Sequence, residues 1–237
     1  MYIYGKNVAK EKITSGGKIN KAYLSEKFND HELIKLLQNN RVKYTFVPEK
    51  FLNTKVDGLH QGIILDVDDV ETYDFNYLKE LNKANPVVVM LDHLEDPHNF
   101  GAIIRTCEAL GIDAIIIPND RTVNITGTVV KTSAGAIYNM PIIRVVNLHN
   151  TIEKLKDIGY WIIGTDMKGT SYTEIDYNMP ICLVIGNEGK GISKVIKDNC
   201  DFMATIPMAG NINSLNASVS CGIILSRIVS SRWLDGI

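Results

Sequence analysis

The sequence predicts an α/β protein: a parallel sheet in its larger, C-terminal part and a small α/β unit in front of it. Three observations carry this. After Pro86 the runs "VVVMLDH", "DAIIIP", "YWIIGTD" and "ICLVIGNE" are nearly continuous apolar stretches, several rich in β-branched residues, as expected of strands buried on both faces. They alternate with segments of helical spacing, the pattern of a sheet covered by crossover helices. Charge is also unevenly divided. Residues 1–55 hold 11 Lys+Arg against 5 Asp+Glu, residues 56–98 hold 2 against 10, and residues 99–237 hold 12 against 12.

The elements follow in order. Lys21–Ser25 reads as a short strand. Asp30 is an N-cap candidate for a helix to Asn40, with Leu33, Ile34, Leu36 and Leu37 at helical spacing. "KYTFV" is a strand, Pro48–Leu52 a turn and short helix, and "GIILDVD" a further strand. These make a unit over residues 1–72. Residues 73–85 read as an acidic, then helical connector ending at Pro86. In residues 86–237 the expected order is a strand at "VVVMLDH", a helix from about Asn99 to Leu110, "DAIIIP", a helix or loop region, and "AIYNMPIIRVV". A helix at Thr151–Lys156, "YWIIGTD", "ICLVIGNE", a helix near Gly191–Asn199, "FMATIPM" and a last helix from Asn216 to Trp233 complete it. Ligands of such sheets bind at the C-terminal strand ends.

The chain has 237 residues, 45% of them hydrophobic, enough for one large or two small cores. No apolar run reaches the roughly 18–20 residues of a membrane span. No long apolar stretch follows the first charges, so the start does not read as a signal peptide. Cys107, Cys182, Cys200 and Cys221 form no CxxC pair and read as reduced thiols of a cytoplasmic protein. His93 and His98 are five residues apart and the other histidines lie on separate elements, so no metal site is expected. The basic N-terminal part suits a polyanion; a solvated surface would look the same in charge alone.

Three loops after strands carry the chemistry. In "DHLEDPHNFGAIIRTCEALG", Asp96-Pro97 makes a turn, Asn99 caps the helix or reaches a ligand, and Arg105 follows about two turns on. An Arg on an apolar helix face needs an anion when buried, either a structural ion pair or a ligand. "LVIGNEGKGIS" has Gly186, Gly189 and Gly191, but matches neither GxxxxGK[ST] nor GxGxxG. A tight turn would account for its glycines and not for Glu188. "IPMAGNINSLNASVSCGIIL" sets Asn211, Asn213, Ser214, Asn216, Ser218 and Ser220 between two apolar segments. One helix cap needs one residue, so the surplus points to a ligand with many polar edges.

Together, "DPHNFGAIIRT", "VIGNEGKGIS" and "IPMAGNINSLNASVSCGI" resemble, in order, the three motifs of the SpoU/TrmH family of RNA ribose 2′-O-methyltransferases, of the SPOUT superfamily. The resemblance covers essentially the whole chain. The opening "YGKNVAKEKI" resembles the subgroup that modifies a guanosine of 23S ribosomal RNA. The resemblance implies a SPOUT domain with a deep trefoil knot, a small N-terminal RNA-binding domain, and a homodimer whose active sites take residues from both subunits. It implies S-adenosyl-L-methionine as cofactor, with Gly186, Ile206 and Leu215 at the matching contacts and Gly164, Thr165 and Ser214 nearby. Arg105, Asn99, Glu188, Ser214 and Asn216 match the catalytic positions: Arg105 as base or phosphate clamp, Asn99 and Asn216 as orienting groups, Glu188 as partner of Arg105 or of a loop amide. A transfer RNA substrate, or a silent RNA-binding assembly factor of the same fold, are the alternatives.

Overall fold

A computed structural model describes residues 1–56, 58–211 and 214–234. The chain folds as β1 (Tyr2–Tyr4), α1 (Lys6–Thr14), β2 (Ile19–Ser25), α2 (His31–Asn39), β3 (Tyr44–Val47), α3 (Glu49–Asn53) and β4 (Ile63–Val67). These form a four-stranded sheet in the order β1-β4-β2-β3. Asp30 caps α2, its carboxylate accepting from the Leu33 amide at 3.1 Å. The first strand and helix go beyond the sequence reading, which began at Lys21. A three-residue strand has too few side chains to display a period, and α1 starts behind Gly5 at φ 96.

The second part continues with α4 (Asn76–Lys79), β5 (Val87–Leu91), α5 (Pro97–Ala109), β6 (Ala114–Pro118), α6 (Gly127–Thr132), a 3-10 turn (Ala136–Tyr138), β7 (Ile142–Val145) and α7 (Leu148–Asp157). It ends with β8 (Trp161–Ser171), β9 (Ile181–Ile185), α8 (Lys194–Lys197), β10 (Phe202–Thr205) and α9 (Ala217–Leu234). The six strands pair in parallel in the order β10-β8-β9-β5-β6-β7. Every residue of β5, β6 and β9 is buried, which is why these three read as unbroken apolar runs. Val87, Val89 and Leu91 face the core shared with α5 and α9, while Val88 and Met90 face the one under α7. The chain turns back across the sheet between β5 and β9, and such a switch point places a crevice at the strand ends.

Three expectations are corrected. "AIYNMPIIRVV" is a strand only from Ile142, because Gly135 is left-handed at φ 83 and the 3-10 turn precedes Pro141. The helix near Gly191–Asn199 is the single turn Lys194–Lys197. β8 runs to Ser171 and carries an irregularity against β10: Met203 pairs with Gly164, then Ala204 with Thr170. The connector is also seated, since the Tyr73 amide donates to the Ile142 carbonyl at 2.8 Å and the Arg144 amide to the Tyr73 carbonyl at 2.9 Å. No described helix is long and apolar enough to cross a membrane.

The two parts share one core. Ile3, Val8 and Ile13 belong to the same buried cluster as Val129, Val130 and Ile137. Beside it the Lys12 ammonium lies 3.5 Å from the centre of the Tyr138 ring. Burial lowers the pKa of Lys12 and pushes that of Tyr138 up to about 12. At its far end α9 is anchored by Arg232, which donates to the carbonyls of Tyr177, Asn85 and Met179 at 3.0, 2.6 and 2.6 Å.

Candidate active site

The loops after β5 and β9 are stapled by buried polar groups. Asp92, 1% exposed, directly follows β5. Its Oδ2 accepts from the Ser193 amide at 2.7 Å and its Oδ1 lies 2.6 Å from Nδ1 of His93. His93 adopts φ 57, a conformation that such contacts must hold. Its carbonyl accepts from the Asn187 side chain at 2.9 Å. Asn187 in turn accepts from the amides of Gly189 and Lys190 at 3.0 and 3.2 Å. Asp92 and Asn187 were missed by sequence reasoning. Asp92 had one available signal: a carboxylate ending a strand buried on both faces must find donors.

Gly186 closes this loop. A Cβ there would sit 2.2 Å from the Gly191 carbonyl carbon and 2.3 Å from the Ile192 nitrogen. Its absence lets Asn187 and Gly191 exchange backbone hydrogen bonds of 3.1 and 2.9 Å. Glu188 is thereby turned toward the start of α5. Asp96 caps that helix, accepting from the His98 amide at 3.0 Å, so Asn99 is released from capping. The buried Asn99 amide donates to Glu188 Oε1 at 3.1 Å, and the Asp96 amide reaches the same oxygen at 3.3 Å. Asn216 donates to Asn99 Oδ1 at 2.8 Å.

The chain Asn216–Asn99–Glu188 joins all three sequence motifs. It also answers part of the polar surplus before α9. Asn216 Oδ1 accepts from the Ser218 amide at 2.9 Å and hydroxyl at 2.6 Å, so this one residue caps α9 and orients Asn99. Ser214 is exposed, and Asn213 lies outside the described residues.

Three neighbouring strands bring the remaining residues to one edge. Gly164 lies in β8, where a Cβ would meet Met203 Sδ at 2.7 Å. Thr165 donates to the Val184 carbonyl of β9 at 3.2 Å. Gly186 follows β9, and Ile206 follows β10 half-buried against the core. Leu215 is 36% exposed.

Arg105 does not join this group. It is exposed, while Phe100, Ile103, Ile104 and Cys107 form the buried face of α5. Six residues at 3.6 per turn put it about 120° round the helix from Asn99. Among the described residues it has no salt bridge. It lies off the apolar face of the helix on which the sequence reading placed it, and of the two partners read for Glu188, Arg105 or a loop amide, Glu188 takes the Asp96 amide together with Asn99.

Residues 86–226 match the family model of the SpoU rRNA methylase family. The chain belongs to this family. A second model, for RNA 2′-O ribose methyltransferase substrate binding, matches residues 2–73. A Staphylococcus saprophyticus protein assigned to the TrmH family of tRNA/rRNA methyltransferases is 43% identical over 97% of this chain and 95% of its own length. Among solved structures, the SpoU methyltransferase AviRb of Streptomyces viridochromogenes with AdoMet superposes with a TM-score of 0.81, at 22% identity over 98% of this chain and 90% of that one. An AdoMet-bound rRNA methyltransferase of Sinorhizobium meliloti gives 0.74, at 24% identity over 97% and 87%. At these identities the likeness is one of fold. Within the SpoU family match lie Asn99, Glu188 and Asn216, and the loops that hold them.

Proposed function

We propose that this SpoU-family chain transfers a methyl group from S-adenosyl-L-methionine to a ribose 2′-hydroxyl of RNA, the RNA being 23S ribosomal RNA and the nucleoside a guanosine. The observation that carries the reading is the Asn216–Asn99–Glu188 chain, which ties three distant segments at one strand edge. Two fold relatives were solved with AdoMet bound, and the family model matching residues 2–73 is one of RNA substrate binding. The chain's own atoms fit the cofactor. Gly164 and Gly186 let the chain pack closely at the edge of β8, β9 and β10, and Ile206, Met208 and Leu215 supply apolar surface there, the latter two 40% and 36% exposed.

When bound, the cofactor supplies a methyl group on a sulfonium. The protein's work is orientation. Glu188 fixes the rotamer of Asn99, and Asn99 fixes Asn216, so the two amides stand pre-set beside the ribose. Arg105 carries a planar guanidinium. As a planar fork with no carboxylate partner among the described residues, it holds the phosphate next to the attacking hydroxyl. The knotted threading of the C-terminal segment belongs to the same proposal and rests on family membership.

Two measurements test this. Calorimetry with chelator present is expected to give cofactor binding, and mapping ribose methylation in a strain lacking the gene is expected to lose one mark in 23S RNA. A lost mark in a transfer RNA would move the substrate; no lost mark and no binding at millimolar cofactor would end the reading. We also propose a homodimer. Arg105 faces away from Asn99 of its own chain, and Leu215, just before α9, and Val219, in its first turn, are 36% and 48% exposed. Light scattering should give twice the chain mass at micromolar concentration; a monomer there would refute a shared site.

A further inference from the structure

We infer that one face of the N-terminal sheet is a stacking platform for unpaired RNA nucleotides, resting on the reading of the protein as an RNA methyltransferase and naming where the RNA is held. Strand alternation creates the face. Ile3, Ala22, Leu24, Ile63 and Leu65 point to the side covered by α1 and α2 and are buried in the main core. The opposite side carries Tyr2, Lys21 and Tyr23, with Asp66 opposite both Tyr2 and Lys21 in register. One end of that side is filled by Tyr4, Leu52 and Ile64. The rest stays partly open: Tyr2 and Tyr23 lie edge to face at 6.3 Å, and Tyr23 and Phe51 are tilted at 5.4 Å.

Cations flank these rings. Lys21 Nζ is 5.2 Å from the Tyr23 ring centre, and Lys55 Nζ is 5.3 Å from those of both Tyr2 and Phe51. Neither forms a salt bridge among the described residues, whereas Lys6, Lys10 and Lys18 are paired with Asp30, Glu32 and Asp68, and Lys12 is buried. The basic excess left over for a ligand is therefore partly gathered at the aromatic face, with Asp66 the one carboxylate set on it by strand register. An ammonium resting on a ring can swing to a phosphate and free the ring for a base. Aromatic faces beside mobile cations suit a splayed single strand. A duplex keeps its base faces stacked inside, and a peptide would have little use for the rings and cations together.

The face is also coupled to the candidate active site. Tyr4 OH meets Thr128 Oγ1 of α6 at 3.0 Å, and Thr132 Oγ1 of α6, within 2.8 Å of the Thr128 carbonyl, lies 3.3 Å from the Pro97 carbonyl. Pro97 begins the helix that carries Asn99. An RNA held on the sheet is thus referenced to the catalytic helix through α6.

The test uses the full chain and a 4-thiouridine-containing unstructured oligoribonucleotide of about 16 nucleotides. Photocrosslinks should map to peptides containing Tyr2, Tyr23 or Phe51. Tyr23→Ala combined with Lys55→Gln should weaken binding of this strand at least about tenfold by anisotropy, with S-adenosyl-L-methionine binding unchanged, while Tyr23→Phe binds as the unmodified protein. Crosslinks confined to other segments, unchanged binding by the double variant, equal binding of a perfect duplex, or equal competition by polyglutamate would each overturn the inference. If the double variant fails to fold, the crosslink map of the unmodified protein decides. Platform crosslinks without methyl transfer to any RNA would remove the methyltransferase reading and leave the platform; transfer unaffected by the double variant would do the reverse.

Discussion

Arg105→Ala should lower single-turnover methyl transfer to RNA by at least about two orders of magnitude, the scale of a positioned catalytic group, while cofactor affinity is retained. Arg105 is exposed on α5 and has no salt bridge among the described residues. Its removal therefore leaves no buried charge behind, and a folded variant is expected. No hydrogen bond among the described residues ties it to Gly164, Gly186 or Ile206, so the proposed cofactor residues should keep their places. Arg105→Lys should be nearly as inactive as the Ala variant, because Lys keeps a charge and loses the planar fork. Mixing Arg105→Ala subunits with Asn99→Ala subunits should restore part of the activity if each site draws on both chains. Near-normal turnover by Arg105→Ala would leave the residue as a solvated surface group. Absent recovery on mixing would place Arg105 and Asn99 in the same subunit's site.

Gly186→Ala should weaken S-adenosyl-L-methionine binding at least about tenfold and lower the melting temperature, as overpacking by one methyl typically costs about 1–3 kcal/mol. The added carbon would stand 2.2 Å from the Gly191 carbonyl carbon and 2.3 Å from the Ile192 nitrogen. Both are backbone atoms, so relief requires the loop to move rather than a side chain to rotate. Glu188 sits in that loop, and its movement would break the 3.1 Å contact to Asn99. Gly189→Ala is the control within the same loop: its nearest neighbour would be Asn187 Oδ1 at 3.7 Å, an ordinary contact. Calorimetry and thermal melting of the pair decide it. Equal behaviour of the two variants would show that the tight closure at Gly186 does not shape the cofactor edge.

The site was partly legible before folding. Glu188 and Asn216 stood out as polar groups that a turn or a single cap did not use up, Asn99 as a cap or a ligand residue, and the family resemblance grouped the three. Their connection was not legible: Asn99 and Glu188 are separated by 89 positions, and Asn99 and Asn216 by 117. Asp92 and Asn187 were missed because their partners are mostly backbone groups, His93 carbonyl and the Ser193, Gly189 and Lys190 amides, which look alike in any sequence. Arg105 was misplaced for a related reason. Its neighbours Ile103, Ile104 and Cys107 suggested an apolar face, yet the helical period carries Arg105 outside it.

The sequence by itself determined the class of fold and the strands at the centre of the main sheet. Burial on both faces forces an unbroken apolar run, as in β5, β6 and β9, and such a run survives in the one-dimensional record. It also determined the α2 cap at Asp30, because capping is local chemistry. Only the tertiary structure decided the strand order, the short extents of β7 and α8, and the irregular pairing of β8 with β10. These depend on which distant backbone amides and carbonyls meet. The same holds for the merger of α1 with α6 and its following turn into one core, and for the meeting of three motifs at Asn99. A side chain's partners are set by what the rest of the chain brings within about 3 Å, and that is a property of the fold.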